Sequence, residues 1–461
     1  MTVSNLFVTD SIKERLGINV AITPKMKDAI NKWYKAYINE SDWLNKDVKS
    51  LNIAASVASE IARLVTVESE IEITGSPRAE FIDGQLNEFK KNKKNIVETA
   101  SSVGGVVFKP YVSADKIYID YIYQDEMLPF RYDDNGMITG IIFPSYKIDG
   151  NKKYTRLEIH NYNNAEYTIS NRCFVSKDTT VSTNEVRGLG SEISLNSVSE
   201  WADIEPEVNI KGLKGPLFSF FKIPIANNID RKSPLGVSVY ARAITDIKKA
   251  DIQAARMDWE FESKETAIEV DETYLSEDIY GTKNLPKGKE RMFRLYSGEG
   301  FNDGSKLFKH FSPDIRDESF SRGLDKILKR IEFNCGLAYG TLSDPQNVDK
   351  TAEEIRSSKQ RSYQLVTDIQ GSLEMSLIEL IDIMDSICTM HNLVPEGHCD
   401  TVFTWDDSIV VDSEKERMQD LQDVRDGLLP KWKYKMKWQG LSEEQAKSEL
   451  SDDLGLSYED E

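Results

Sequence analysis

Between residues 317 and 391 apolar residues recur at helical spacing twice, on either side of a segment through which a helix would not continue. Phe320, Leu324, Ile327 and Ile331 are spaced by four, three and four, so they share one face of a helix. The chain then reads GLAYGTLSDPQNVDK, where Gly336, Gly340 and Pro345 oppose helix continuation. Beyond it Val366, Ile369, Leu373, Leu377, Leu380, Met384 and Ile387 form a second stripe, preceded by a polar stretch at 353–364 with almost nothing to bury. The spacing predicts a second helix of nearly forty residues, roughly 55 Å at the usual rise per residue. That is far above the ordinary length in a compact globular protein, so something outside an ordinary core must need it.

Charge narrows the function classes. The 461 residues carry 58 basic and 77 acidic side chains, a formal charge of −19. No excess of lysine and arginine exists to displace counterions, which opposes an unspecific binder that coats nucleic acid. It does not oppose a wall past which DNA slides. The opening MTVSNLFVTDSIKERLG lacks the apolar core of a signal peptide, and no run reaches transmembrane length. The four scattered cysteines read as free buried thiols in a reducing compartment.

Catalytic motifs are missing. The sequence holds no P-loop, no dinucleotide-binding glycine fingerprint, no GxSxG and no HExxH, and its carboxylates form no recognisable metal pattern. Cys388, His391, His398 and Cys399 lie close together, but His398 and Cys399 are adjacent and point apart, so ordinary cysteines with incidental histidines are expected. Glu158 and His160 flank Ile159 and are expected on an exposed strand face, two ligands being too few for a metal. Neither a cofactor nor an enzymatic activity is expected.

The rest of the chain reads as mixed α and β. Residues 22–66 predict a helical pair, with Ala29, Trp33, Tyr34 and Tyr37 on the first helix and Ile53, Val57, Ile61 and Val65 on the second. A short helix is expected at 95–101. From 103 to 175, β-branched and aromatic runs separated by turns at DDNG and around Asp149-Gly150 predict antiparallel hairpins. A further helix carries Tyr240, Ala243, Ile247, Ala250, Ala254, Met257 and Phe261 at alternating spacings of three and four. Its narrow, alanine-rich stripe fits bundling against neighbours better than burial in a thick core. Short strand-like runs fill the excursion before residue 314, and the C-terminal part predicts a strand followed by helices with an acidic end.

The phrases PLFSFFKIPIANNIDRKSPLGVSVYARAITDIKKAD at 216–251, FSPDIRDESFSRGLDKILKRIEFNCGLAYGTLSD at 311–344, KTAEEIRSSKQRSYQLVTDIQ at 350–370 and FTWDDSIVVDSEKERMQDLQDVRDGLL at 403–429, in this order and spacing, resemble the portal proteins of tailed bacteriophages, in the group common in long-tailed phages of Gram-positive hosts. The resemblance implies an α+β portal fold assembled as a ring of twelve at one capsid vertex of the virion, after assembly in the host bacterial cytoplasm. It assigns a wing to 1–235, a first stem helix to 236–265, a small α/β clip to 266–314 and a second stem helix to 315–336. It further assigns a tunnel loop to 337–350, a long wing helix to 351–400, and a wing strand with a helical crown to 401–461. The implied function is a channel for packaging and ejecting double-stranded DNA, docking a terminase motor and later a head-tail connector, among major capsid and scaffolding proteins, with no membrane. Thr341, Ser343, Asp344, Gln346, Asn347, Asp349 and Lys350 would then face DNA as weak polar contacts. Lys248, Lys249, Arg256, Lys326, Lys329 and Arg330 would either meet phosphates or pair with acids on neighbouring subunits. The rival readings are an oligomeric adaptor or baseplate scaffold without a DNA channel, and a metal-dependent nucleic-acid enzyme.

Overall fold

Pro24 opens helix α2 (Pro24–Tyr37) where its missing N–H costs nothing, and the Thr23 hydroxyl caps the turn by accepting from Met26 N at 3.4 Å. The computed structural model describes residues 9–67, 69–163, 165–176, 189–264, 267–271, 293–296, 308–311, 314–344, 352–405, 413–439 and 447. A short helix α1 (Thr9–Leu16) precedes α2. The inward face of α2 is Met26, Ile30, Trp33 and Ala36, so of the expected stripe only Trp33 is buried. The tyrosines stay at the margin because their hydroxyls need partners: that of Tyr37 donates to Glu98 Oε1 at 3.0 Å.

Helix α3 (Ile53–Thr66) buries the expected Ile53, Val57, Ile61 and Val65, and also Ala54, Ala58 and Ala62. Those alanines let α5 (Asn87–Val103) pack close. The short helix expected at 95–101 is the C-terminal part of α5, whose lysine-rich first turns carry little apolar signal. Strand β1 (Glu70–Thr74) and helix α4 (Pro77–Gln85) precede it and are absent from the sequence reading.

The β region forms two sheets. Strands β2 (Gly105–Ser113), β3 (Lys116–Tyr123), β5 (Ile138–Asp149), β6 (Lys152–Asn163) and β7 (Glu166–Ser176) follow the predicted runs, and β4 (Leu128–Tyr132), which no run marked, pairs with β5 across the DDNG turn. Added to them are β8 (Ser191–Ile193), β9 (Glu207–Lys211) and β10 (Ser219–Lys222). One sheet runs β10-β2-β3 and the other β4-β5-β6-β7-β8, with β9 also on β7; all pairs are antiparallel. In the DDNG turn, the Asp133 carboxylate accepts from the amides of Asn135 (2.9 Å) and Met137 (2.8 Å), and Gly136 takes a φ of +84°.

The expectation of an exposed Glu158–His160 face is overturned. His160 is 3% exposed, and Glu158 joins it in a buried network. His160 Nε2 donates to Glu158 Oε1 at 2.7 Å, and its Nδ1 accepts from the Tyr167 hydroxyl. The same carboxylate takes Lys109 Nζ and Arg156 Nη2, each at 3.1 Å. Lys109 reaches in from β2, while Phe143 and Phe218 pack edge-on against the imidazole. A strand-local reading could not supply that cover, since Lys109 comes from the other sheet, Phe143 from the neighbouring β5 and Phe218 from the segment before β10.

The chain passes from the β region into the next helix through a tight crossing. Gln124 donates to the carbonyls of Val103 (2.8 Å) and Gly236 (3.0 Å) and accepts from Gly236 N (2.7 Å). Gly104, at φ +109°, lies so close that a Cβ on Gly236 would fall 1.9 Å from its carbonyl oxygen. Helix α6 (Ile244–Ser263) therefore begins later than 236: Tyr240 is fully buried outside it, donating to Trp33 O at 2.9 Å, and the turn Ala241–Ala243 leads in.

After α6 comes a three-stranded sheet of β11 (Ala267–Asp271), β12 (Phe293–Tyr296) and β13 (Phe308–Phe311), with β11 central, parallel to β12 and antiparallel to β13. Helix α7 (Asp317–Cys335) follows, then α8 (Ala352–His391), 40 residues long. The predicted stripe of α8 is buried throughout, from Val366 to Ile387. It lies on β10, β2, α3 and α4, with Ser219 Oγ donating to Ser376 O (2.7 Å) and Ser372 Oγ to Lys222 O (2.6 Å). At its C-terminal end the buried Arg78 of α4 donates to Asp385 Oδ1 (2.7 Å), Thr389 Oγ1 (2.7 Å), Val394 O (2.6 Å) and Pro395 O (2.9 Å). The guanidinium thus ties the last turns of α8 to the segment that follows it, its charge lying at the negative end of the helix.

Strand β14 (Asp400–Thr404) then pairs antiparallel with β1, and α9 (Ser413–Arg425) and α10 (Lys431–Gln439) close the described chain. Among the described residues, one large apolar cluster joins α2, α3, α5, the two sheets of the β region and α8, and a smaller one gathers Cys173, Leu195, Val198 and Trp201.

Candidate functional site: the α6/α7 pair and the loop that leaves it

Helices α6 and α7 lie antiparallel, and polar contacts fix the register. Near the start of α6, Asp246 accepts from Arg330 Nη2 (2.8 Å), Lys249 Nζ (3.4 Å) and Asn334 Nδ2 (3.3 Å). At its other end, Glu260 receives Arg316 in a two-bonded fork at 2.9 and 2.7 Å, and Lys264 at 2.9 Å. Hydrogen bonds from Arg316 and Lys264 hold the Glu260 carboxyl at about 2, well below the usual range. Lys264 also donates to Asp314 O at 2.7 Å, so the two ends of the insert carrying β11, β12 and β13 are clasped together.

Burial along the pair fades toward that insert. Tyr240, Ala243, Ile247, Ala250, Ile331 and Cys335 are buried, whereas Ala254, Met257, Phe320, Leu324 and Ile327 are only half-buried. Trp259 is 66% exposed and Phe333 53%, with Phe261 and Ile315 also open. Apolar side chains of this size are thus left uncovered on one helix pair.

The basic residues divide. Lys249 and Arg330 pair with Asp246, and Lys329 pairs with Asp325 at 2.7 Å, all within the same chain. Those three thus have acids of their own subunit, a third arrangement beside the two foreseen. Lys248, Arg256 and Lys326 are exposed, with no carboxylate at ion-pair distance among the described residues.

Past Cys335 the chain reverses through a helix-ending motif. Gly336 takes φ +71°, its N–H bonds Phe333 O (3.3 Å), and Leu337 N bonds Glu332 O (2.9 Å) while its side chain is buried. A Cβ at Gly336 would meet Leu365 Cδ2 of α8 at 2.9 Å, so glycine serves both the conformation and the close approach. The following residues lie on α7. Glu332 Oε1 accepts from Gly340 N (3.1 Å), Leu342 N (2.6 Å) and Ser343 N (2.8 Å), and Oε2 from Ser343 Oγ (2.9 Å). Asp325 Oδ1 accepts from Asp344 N at 3.1 Å. From α8, Arg361 stacks over Phe333 (4.6 Å) and Tyr339 (5.9 Å).

Of the residues expected in this loop, Thr341 and Asp344 are exposed, while Ser343 is 4% exposed and turned onto Glu332. Gln346, Asn347, Asp349 and Lys350 lie outside the described residues. Sequence reasoning passed over Asp246, Asp325 and Glu332. One signal was available, since Asp325 and Glu332 stand seven apart, on one face of a helix otherwise read for its apolar and basic residues.

Among the described residues, no three His, Cys, Asp or Glu side chains are grouped to hold a metal ion. Cys388 is buried and Cys399 partly so, burial pushing both thiols up, and His398 pairs with Asp400 at 2.9 Å. No helix among the described residues is long and apolar enough to cross a membrane.

A search of curated proteins finds no match. The family model described as phage portal protein, SPP1 Gp6-like, matches residues 25–444, and the chain belongs to that family.

Proposed function

We propose that twelve copies of this chain close into a ring at one capsid vertex, around an axial channel through which double-stranded DNA enters and leaves the virion. The observation that carries this is the α6/α7 pair, whose apolar stripe loses its cover toward the insert, leaving Trp259, Phe261 and Ile315 open. In a closed ring the same patch repeats on every subunit, and a neighbour's helices supply the missing cover.

In this reading α6 and α7 are the stem and the insert between them is the clip. The clip presents a small sheet to the terminase motor during packaging and to a head-tail connector afterwards. The sheets and the helices around α8 are the wing, facing the major capsid and scaffolding proteins, and α9 with α10 contributes to the crown. The residues after Asp344 face the channel. The ring does no chemistry itself; a separate ATPase supplies the work. The excess negative charge suits such a wall, because a tight grip on phosphates would stall DNA in transit. Lys248, Arg256 and Lys326 are the stem cations left for a neighbour's acids or for phosphate.

Negative-stain imaging of the purified full-length chain tests the reading. Rings of about a dozen subunits, with an axial hole wide enough for a duplex, are expected from closed cyclic symmetry. A stable monomer at high concentration overturns the ring, and rings without an opening turn the reading toward an adaptor scaffold.

A further inference from the structure

The segment after Gly336 does not leave α7 freely; it doubles back along it. Asp325 and Glu332 lie two turns apart on one helix face, and amides from 340 to 344 fall on them in reverse order, the later residue on the earlier carboxylate. Glu332 is fully buried, and no lysine or arginine forms an ion pair with it among the described residues. Its carboxylate instead converges three backbone N–H groups and one hydroxyl. A buried carboxylate is tolerated where such donors surround it, and moving them away would strand it without water or partner. Lifting the loop root therefore costs far more than one ordinary hydrogen bond.

We propose that Glu332, with Asp325 as a second anchor, is a positioning residue that makes residues 338–344 one rigid piece with α7, so that a tilt or rotation of this helix is carried to the chain beyond Asp344. Gly336 is then a fixed corner rather than a hinge, wedged against Leu365 on its other side. The anchoring stands on the geometry alone; its consequence for DNA rests on the portal reading.

Hydrogen exchange on the full-length assembly tests the anchor directly. Glu332→Ala should raise exchange of the amides of Gly340, Leu342 and Ser343 by about tenfold or more, while α3 stays protected. Glu332→Gln should restore near-wild-type protection, because its carbonyl oxygen still accepts the three amides and its NH2 can donate to Ser343 Oγ. Should Glu332→Ala fail to fold, Ser343→Ala and Asp325→Asn, each removing or weakening one contact, should raise local exchange several-fold by the same reasoning. Unchanged protection in these variants overturns the anchor. DNA packaging separates the consequence: Glu332→Ala rings should package poorly and Glu332→Gln rings well, and normal packaging with a loosened loop root overturns the positioning role. Absence of an axial channel in imaging would instead strike the portal reading and leave the exchange result standing.

Discussion

Asp125 is the residue at which burial and charge conflict most openly. It is 4% exposed, and burial, with the neighbouring Glu126 carboxylate, pushes its carboxyl up to about 7. The folded state thus holds this proton more tightly than an unfolded chain does, where the group titrates at about 3.9. Its stability contribution is fully present below that ordinary value and is lost as pH rises through about 7. Asparagine mimics the protonated acid, so Asp125→Asn should leave the Tm near wild type at about pH 3.5, below both values, and raise it by a few degrees at pH 8. Scanning calorimetry at the two pH values measures this, and a variant whose Tm does not gain at pH 8 would show that the folded protein carries no penalty for this charge. The Glu158 carboxyl shows the opposite balance. Burial alone would raise it, but the hydrogen bond from His160 and the charges of Lys109 and Arg156 hold it well below the usual range, so its contribution is lost only in acid.

Among the elements, α7 separates assembly from folding along one stripe. Ile331, near its C-terminal end, is fully buried within the subunit, whereas Ile327, one turn earlier, is only half-covered. Ile327→Asp should therefore leave the subunit folded by circular dichroism yet abolish rings on size-exclusion chromatography, because the charge would be buried only on assembly. Ile331→Asp should lose the fold itself. Rings of unchanged size in Ile327→Asp would remove this face from the interface. The same helix shows what a sequence can carry. Periodicity located α7 and α8 because each presents an apolar stripe, and turn chemistry located the starts of β5 and β6 because Asp133, Gly136 and Gly150 act locally. β1 and α4 escaped because what stabilises them is distant in sequence: β1 pairs residues 400–404, and Arg78 of α4 binds the end of α8. The loop root was read as free for a similar reason, since the acid that holds Ser343 belongs to the preceding helix.

At the scale of the whole molecule, among the described residues, one large apolar cluster ties the sheets of the β region, α3 and the long α8 together, and cover along the α6/α7 pair falls off toward the insert. The loop leaves at the opposite, buried end of the pair, close to α8 through Arg361. Its two halves therefore answer to different demands. Residues 338–344 satisfy Glu332 and Asp325, so they belong to the stability of the subunit, while residues 345–350 are where the portal reading locates contact with DNA. Two deletions separate these roles. Removing 346–349 should leave ring size and thermal midpoint close to wild type and impair DNA packaging or retention. Removing 341–348 also takes away Leu342 and Ser343, leaving Glu332 buried with only one of its four donors, and should lower the subunit's stability by on the order of 2 kcal/mol besides impairing packaging. Urea unfolding midpoints beside a packaging assay read the two effects independently. Full packaging with stable filled heads in the shorter deletion would refute the channel role of these residues, and equal midpoints for the two deletions would refute the division between anchor and contact.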